Sequence, residues 1–222
     1  MRRKRWTLFP PRSTPILRPT RLPYEESSVF SRIDLLHAAD DETFVEKSAP
    51  RMVILEPGDI LLVPKHWWHF VQCLDDGCIS VNTWVDLQSD RDDKLSESII
   101  SAVISMTKNH LTGHLLNIND DGPDLSDIMN LINAFSSDAP NIEYDENPGD
   151  QFLEKFLSKF SDSLIEIPLV NRENYKKQME SRDDARNKID EDELNERSIV
   201  DAIVNAETIA VIKRLLLARK NK

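Results

Sequence analysis

All four tryptophans, both cysteines and eight of the twelve prolines of this 222-residue chain fall within its first 84 residues. That clustering constrains the fold more than any other feature. Aromatic and β-branched residues broken up by proline suit short strands joined by tight turns, and they do not suit long helices. From about Asp90 onward Trp and Cys disappear, and apolar residues recur every three or four positions. The sequence therefore divides near residue 88, into a β-rich part over 1–88 and an acidic helical part over 89–222.

Charge follows the same asymmetry. The net charge is -11, yet residues 1–24 carry Arg2, Arg3, Lys4, Arg5, Arg12, Arg18 and Arg21 and no acid. A strongly acidic remainder repels nucleic acid, so a nucleic-acid partner is not expected. Five prolines between Pro10 and Pro23 rule out an amphipathic targeting helix there. Arg2-Arg3-Lys4-Arg5 leaves a nuclear address open, and the reading is otherwise cytoplasmic. No run of apolar residues approaches the length of about 18 that a membrane span requires. Two cysteines without a secretory segment suggest reduced thiols.

Arg5 to Phe9 reads as a strand stopped by Pro10-Pro11. A short strand is possible over Val29 to Leu36, and Met52 to Leu55 is apolar and β-branched. Glu56-Pro57-Gly58-Asp59 reads as a turn, and Ile60 to Val63 as a buried strand. Trp68 to Cys73 and Cys78 to Val85 read as a hairpin around Leu74-Asp75-Asp76-Gly77. With Cys73 opposite Cys78, His69 faces Asn82 and Trp67 faces Trp84, so these side chains share one side of the sheet. An imidazole beside a carboxamide is either a hydrogen-bonded core pair or part of a site. His66 and His69, three apart, would share a face on a helix but not on a strand. No CxxC or HExxH accompanies them, which argues against zinc.

In the second part Leu95, Ile99, Val103 and Met106 mark one helix face, and Leu125 to Phe135 and Phe152 to Phe160 repeat the pattern. Residues 171–196 are almost wholly charged and read as a solvated helix or linker. Ile199, Ile203, Ala206, Ile209, Ile212 and Leu216 form a last stripe, which leaves a homodimer through these helices open.

Four segments, in order, resemble the second half of a JmjC domain. They are Lys4-Arg5-Trp6-Thr7-Leu8-Phe9-Pro10-Pro11, Pro19-Thr20-Arg21-Leu22-Pro23-Tyr24-Glu25-Glu26-Ser27-Ser28-Val29-Phe30, the run Pro57-Gly58-Asp59-Ile60-Leu61-Leu62-Val63-Pro64-Lys65-His66-Trp67-Trp68-His69, and Ser80-Val81-Asn82-Thr83-Trp84. The spacing resembles the group with protein asparaginyl hydroxylases. The second segment looks closer to a branch named for association with a small heat shock protein. The resemblance covers residues 2–86.

It implies a double-stranded β-helix of the jelly-roll or cupin type, here partial and followed by a helical region. It implies Fe(II) held by a His-x-Asp/Glu pair and a later His, with 2-oxoglutarate as cosubstrate. By resemblance His69 is the later metal ligand, Lys4 pairs with the distal carboxylate of 2-oxoglutarate, and Asn82 lines the cofactor pocket. Trp84 would be a wall of the site. Lys4, Trp6 and Leu8 alternate onto one face, so an inward lysine is consistent with the pattern. Opposite charges about 4 Å apart in a semi-buried site attract by roughly 4 kcal/mol before desolvation.

No histidine here has an acid two positions on. His37 is followed by Ala38-Ala39-Asp40, one residue too long, and His66, His69, His110 and His114 have none. The expectation is therefore a truncated or mis-started JmjC protein hydroxylase, inactive as it stands, whose barrel lacks its early strands. The competing expectation is a non-catalytic interaction protein that binds a protein partner such as a small heat shock protein.

Overall fold

A computed structural model of the chain describes residues 2–20, 29–87, 89–107, 124–136, 148–179 and 202–220. Its strands are β1 (Lys4–Phe9), β2 (Pro19–Thr20), β3 (Phe30–Ser31), β4 (Arg51–Leu55) and β5 (Trp68–Cys73). Its helices are α1 (Thr14–Leu17), α2 (Phe44–Ser48), α3 (Asp90–Thr107), α4 (Leu125–Ser136), α5 (Pro148–Phe160), α6 (Arg172–Met179) and α7 (Ala206–Lys220). Two compact units result, the first formed from 1–19, 31–83 and 162–186, the second from the remainder.

In the first unit β1 is the middle strand of a three-stranded antiparallel sheet ordered β4-β1-β5. Thr7 lies opposite Met52 on one side and Phe70 on the other, and Phe9 lies opposite Trp68. Side chains alternate across a strand, so Arg5, Thr7, Phe9, Met52, Trp68, Phe70 and Gln72 share one face. That face meets Leu17, Phe44, Val45, Tyr175 and Met179 in a single apolar cluster. Full burial of each large apolar side chain there contributes about 1.5–3 kcal/mol. Pro10 and Pro11 end β1, as the sequence implies, and α2 stops at Ala49 in the left-handed conformation before Pro50.

α6 is the main departure from the sequence reading of this region. Its surroundings in sequence are charged, but Tyr175 and Met179, four apart, are fully buried. The Tyr175 hydroxyl donates to Leu35 O at 2.9 Å, and its ring meets Phe44 edge-on at 6.2 Å. Burial first, and Asp34 second, raise the phenol's pKa above the usual range. Val170 N donates to Pro50 O at 2.9 Å, and Leu169 bridges to Arg51 of β4. Residues 180–196 of the charged segment lie outside the described residues, as do His110, His114, Ile199 and residues 21–28.

The expected hairpin does not form. β5 pairs with β1, and the described residues from Cys78 to Leu87 contain no strand. The loop after β5 is held instead by the chain leading into β1. Leu74 N donates to Arg3 O at 3.0 Å, Arg3 N donates to Asp75 Oδ2 at 2.7 Å, and Arg2 Nη1 donates to Gly77 O at 2.5 Å. Ile60 to Val63 is also not a strand, and Ile60 is 81% exposed. Pro64 ends that run and a turn precedes it: the expected Glu56–Asp59 turn is present, with Asp59 N on Glu56 O at 3.1 Å. Among the described residues the β part is thus a small antiparallel sheet, not a complete jelly roll.

In the second unit α3 packs against α4 and α7 around Leu95, Ile99, Ile104, Ile128, Ile132 and Ile209. The expected α3 face is only partly right, because Met106 is 55% exposed while Ile100 and Ile104 are buried. Acids Asp90, Asp92 and Asp93 sit in the first turn of α3, where the helix dipole favours them. The last stripe is interrupted. Asn205 caps α7 by accepting from Thr208 N at 2.9 Å, and Val204 is buried in place of Ile203. Lys213 of α7 pairs with Asp92 of α3. No helix among the described residues is long and apolar enough to cross a membrane.

Candidate functional site on the open sheet face

The sheet face opposite the core is built by the same alternation. Lys4 lies between Leu55 and Cys73, Trp6 between Val53 and Val71, and Leu8 between Arg51 and His69. Lys4 and His69 therefore share this face, separated along the strand direction by four residues, or about 14 Å. Between them Trp6, Val53 and Val71 make an apolar floor.

Lys4 is half-buried, and its Nζ donates to Ser80 Oγ at 2.7 Å. Among the described residues it has no carboxylate partner. His69 is exposed; its ring stands 5.6 Å from that of Trp6, tilted by 30°, and its Nδ1 lies 3.4 Å from Trp67 O. The indole Nε1 of Trp6 is buried with no hydrogen-bond partner among the described residues. Asn82 is exposed on the segment without strand, and the residue opposite His69 is Leu8. Trp84 is 88% exposed. The structure thus brings two of the sequence-predicted residues to one face and leaves the third apart.

The most defined electrostatic feature near Lys4 is the Arg3–Asp75 pair, at 3.2 Å. Hydrogen bonds from the Arg3 side chain and then its backbone hold the Asp75 carboxyl below the usual carboxylate range. Sequence reasoning missed the Lys4 bond to Ser80 and the Trp6 ring contact with His69. The alternation from Lys4 already contained Trp6, and Ser80 opens the fourth resembling segment, but nothing in the sequence pairs it with Lys4.

An iron site needs several convergent ligands. Among the described residues no group of three His, Cys, Asp or Glu is placed to hold a metal ion. His69 alone does not fit that requirement, so the described residues do not make an iron site by themselves.

Residues 3–91 match the model of the Cupin-like domain family. HSPB1-associated protein 1 of Bos taurus is 45% identical over 108 residues, which are 48% of this chain and 22% of that protein. The HSPB1-associated protein 1 homolog of Danio rerio is 42% identical over 108 residues, 48% of this chain and 24% of that protein. The 2-oxoglutarate and iron-dependent oxygenase JMJD4 of Mus musculus is 38% identical over 87 residues, 38% of this chain and 19% of that protein. The chain spans about a fifth of the length of these relatives. No solved structure matches it. Residues 3–91 are thus similar to the Cupin-like domain family and to relatives that include a JmjC-type oxygenase.

Proposed function

We propose that the chain supplies the later strands of a JmjC-type, Fe(II)- and 2-oxoglutarate-dependent protein hydroxylase domain, as part of a double-stranded β-helix. In this reading His69 is one metal ligand, Lys4 holds the distal carboxylate of 2-oxoglutarate, and Asn82 belongs to the cofactor pocket. The observation that supports it is the shared face: β1 in the middle of the sheet presents Lys4 on the same side as His69, over an apolar floor. A cation at the edge of an apolar surface suits a carboxylate ligand, because water is partly excluded there. Asn82 takes its role from the resemblance alone.

The described residues lack the remaining iron ligands, so the chain by itself is proposed to be inactive. Incubated with Fe(II) and 2-oxoglutarate, the purified 222-residue protein should release no succinate above background. Iron-dependent turnover that His69→Ala abolishes would refute this. Binding of 2-oxoglutarate, followed by ligand-observed NMR, should weaken about tenfold or more in Lys4→Ala, as loss of a charge-assisted contact predicts. Unchanged binding in that variant would remove Lys4 from the site.

A second reading has its own observation, the names of relatives such as HSPB1-associated protein 1. In it the chain is a cytoplasmic, non-catalytic protein that binds a small heat shock protein. Co-sedimentation of the purified chain with such a protein, unaffected by Lys4→Ala or His69→Ala, would favour it over the oxygenase reading.

A further inference from the structure

Cys73 and Cys78 flank the loop Leu74–Gly77, and both are free thiols, Cys73 exposed and Cys78 half-buried. The hairpin geometry that would have set them opposite each other is absent, yet the Cys78 thiol and the amide that follows Cys73 share one acceptor. One backbone oxygen, Arg3 O, accepts from Leu74 N at 3.0 Å and also from the Cys78 thiol at 3.4 Å. The thiol reaches Asp75 O at 3.2 Å as well. The Cys78 sulfur is thereby held beside the peptide that joins Cys73 to Leu74. Three further contacts fix the loop: Asp75 to the Arg3 amide and guanidinium, and Gly77 O to Arg2. Gly77 has φ +70, a conformation that lets so short a loop reverse, and Arg2 covers the place a Cβ would take.

We infer that Cys73 and Cys78 are a reversible thiol–disulfide site, oxidised by small disulfides of the glutathione class. The exposed Cys73 thiolate attacks glutathione disulfide, forming a mixed disulfide and releasing one glutathione thiolate. The Cys78 thiolate then attacks the Cys73 sulfur and releases the second glutathione. Two protein thiols are oxidised to one S–S bond, glutathione disulfide is reduced to two glutathiones, and the two thiol protons pass to the departing thiolates. Most of the ordering that ring closure requires is already present in the folded chain, because the loop is pinned to Arg2 and Arg3. The bridge would also brace Lys4, whose ladder partner is Cys73 and whose Nζ contact, Ser80, lies two residues past Cys78. This inference does not rest on the oxygenase reading.

The test equilibrates the folded 222-residue protein with glutathione buffers of graded redox ratio, quenches with acid and alkylates the remaining thiols. Mass spectrometry of the tryptic peptide spanning residues 66–91 should show loss of both alkylation sites, with a mass lower by two hydrogens and no glutathione attached. Cys73→Ser and Cys78→Ser should each stop at a mixed disulfide. In urea the same pair should need a buffer at least about tenfold more oxidising for half-conversion, because the pinned geometry is lost. Glutathione adducts alone, disulfide-linked dimers alone, or equal half-conversion in the folded and denatured chain would each overturn the inference.

Discussion

Replacing Tyr175 by alanine tests whether a helix so distant in sequence completes the core of the sheet unit. Tyr175 is 0% exposed, touches Phe44 edge-on and donates its hydroxyl to Leu35 O. Removing a buried aromatic ring costs about 3–5 kcal/mol, which includes the transfer and the cavity left behind. The edge-on pair accounts for about 0.5–1.5 kcal/mol beyond area. Tyr175→Phe isolates the hydroxyl and should cost about 1 kcal/mol, since the Leu35 carbonyl loses its donor. Urea unfolding followed by tryptophan emission reads this unit well. Trp6, Trp67 and Trp68 are at least partly covered within it, and Trp84, at 88% exposure, adds little change. With a slope of about 2 kcal/mol per molar urea, the midpoint should fall by about 2 M for alanine and about 0.5 M for phenylalanine. A native state lost without urea in the alanine variant, with the graded shift in phenylalanine, fits the same reasoning. A midpoint shift under about 0.25 M in Tyr175→Ala would show that α6 does not close this core.

Two further outcomes follow from the same region. The Thr7 side chain is fully buried, and its hydroxyl finds no partner among the described residues, so Thr7→Val should stabilise the unit by about 1 kcal/mol in the same urea assay. The Asp75 carboxyl, held low by Arg3, stabilises the folded chain above its ordinary pKa of about 3.9, and that contribution is lost as pH falls through the lower folded value. NMR titration should place it below a free aspartate, and Arg3→Ala should return it upward; an unchanged titration in that variant would exclude Arg3 as the cause.

The parts of this fold that local chemistry dictates were legible in the sequence. Pro10-Pro11 ends β1, Glu56–Asp59 turns, and α3, α4 and α5 form where the apolar spacing marks helices, although the buried face of α3 differs in part. The alternation through Lys4, Trp6 and Leu8 is real, although the opposite face, with Thr7 and Phe9, is the one the core covers. Strand pairing was not legible. An Asp-Gly signal favours a hairpin over 68–85, whereas β5 pairs with β1, some seventy residues upstream, and the loop after it is held by Arg2 and Arg3. Tyr175 was hidden for the opposite reason: one ring in a charged stretch is a weak periodic signal but a large burial. Lys4 and His69 were identified by resemblance, and their common face emerges only once β1 is seen to be the central strand.

That central position has a kinetic consequence. Both ladders of β1 join residues far apart in the chain, Lys4 with Leu55 and Lys4 with Cys73, so no local turn can nucleate either one. On the ribosome β1 emerges before β4 and β5, the strands it pairs with here, and its core face stays uncovered until α6 arrives with Tyr175. Topologies of high contact order fold slowly, and exposed strands are where such chains associate wrongly. The strand at the centre of this sheet is thus one that needs protection from wrong partners until both of its neighbours are made.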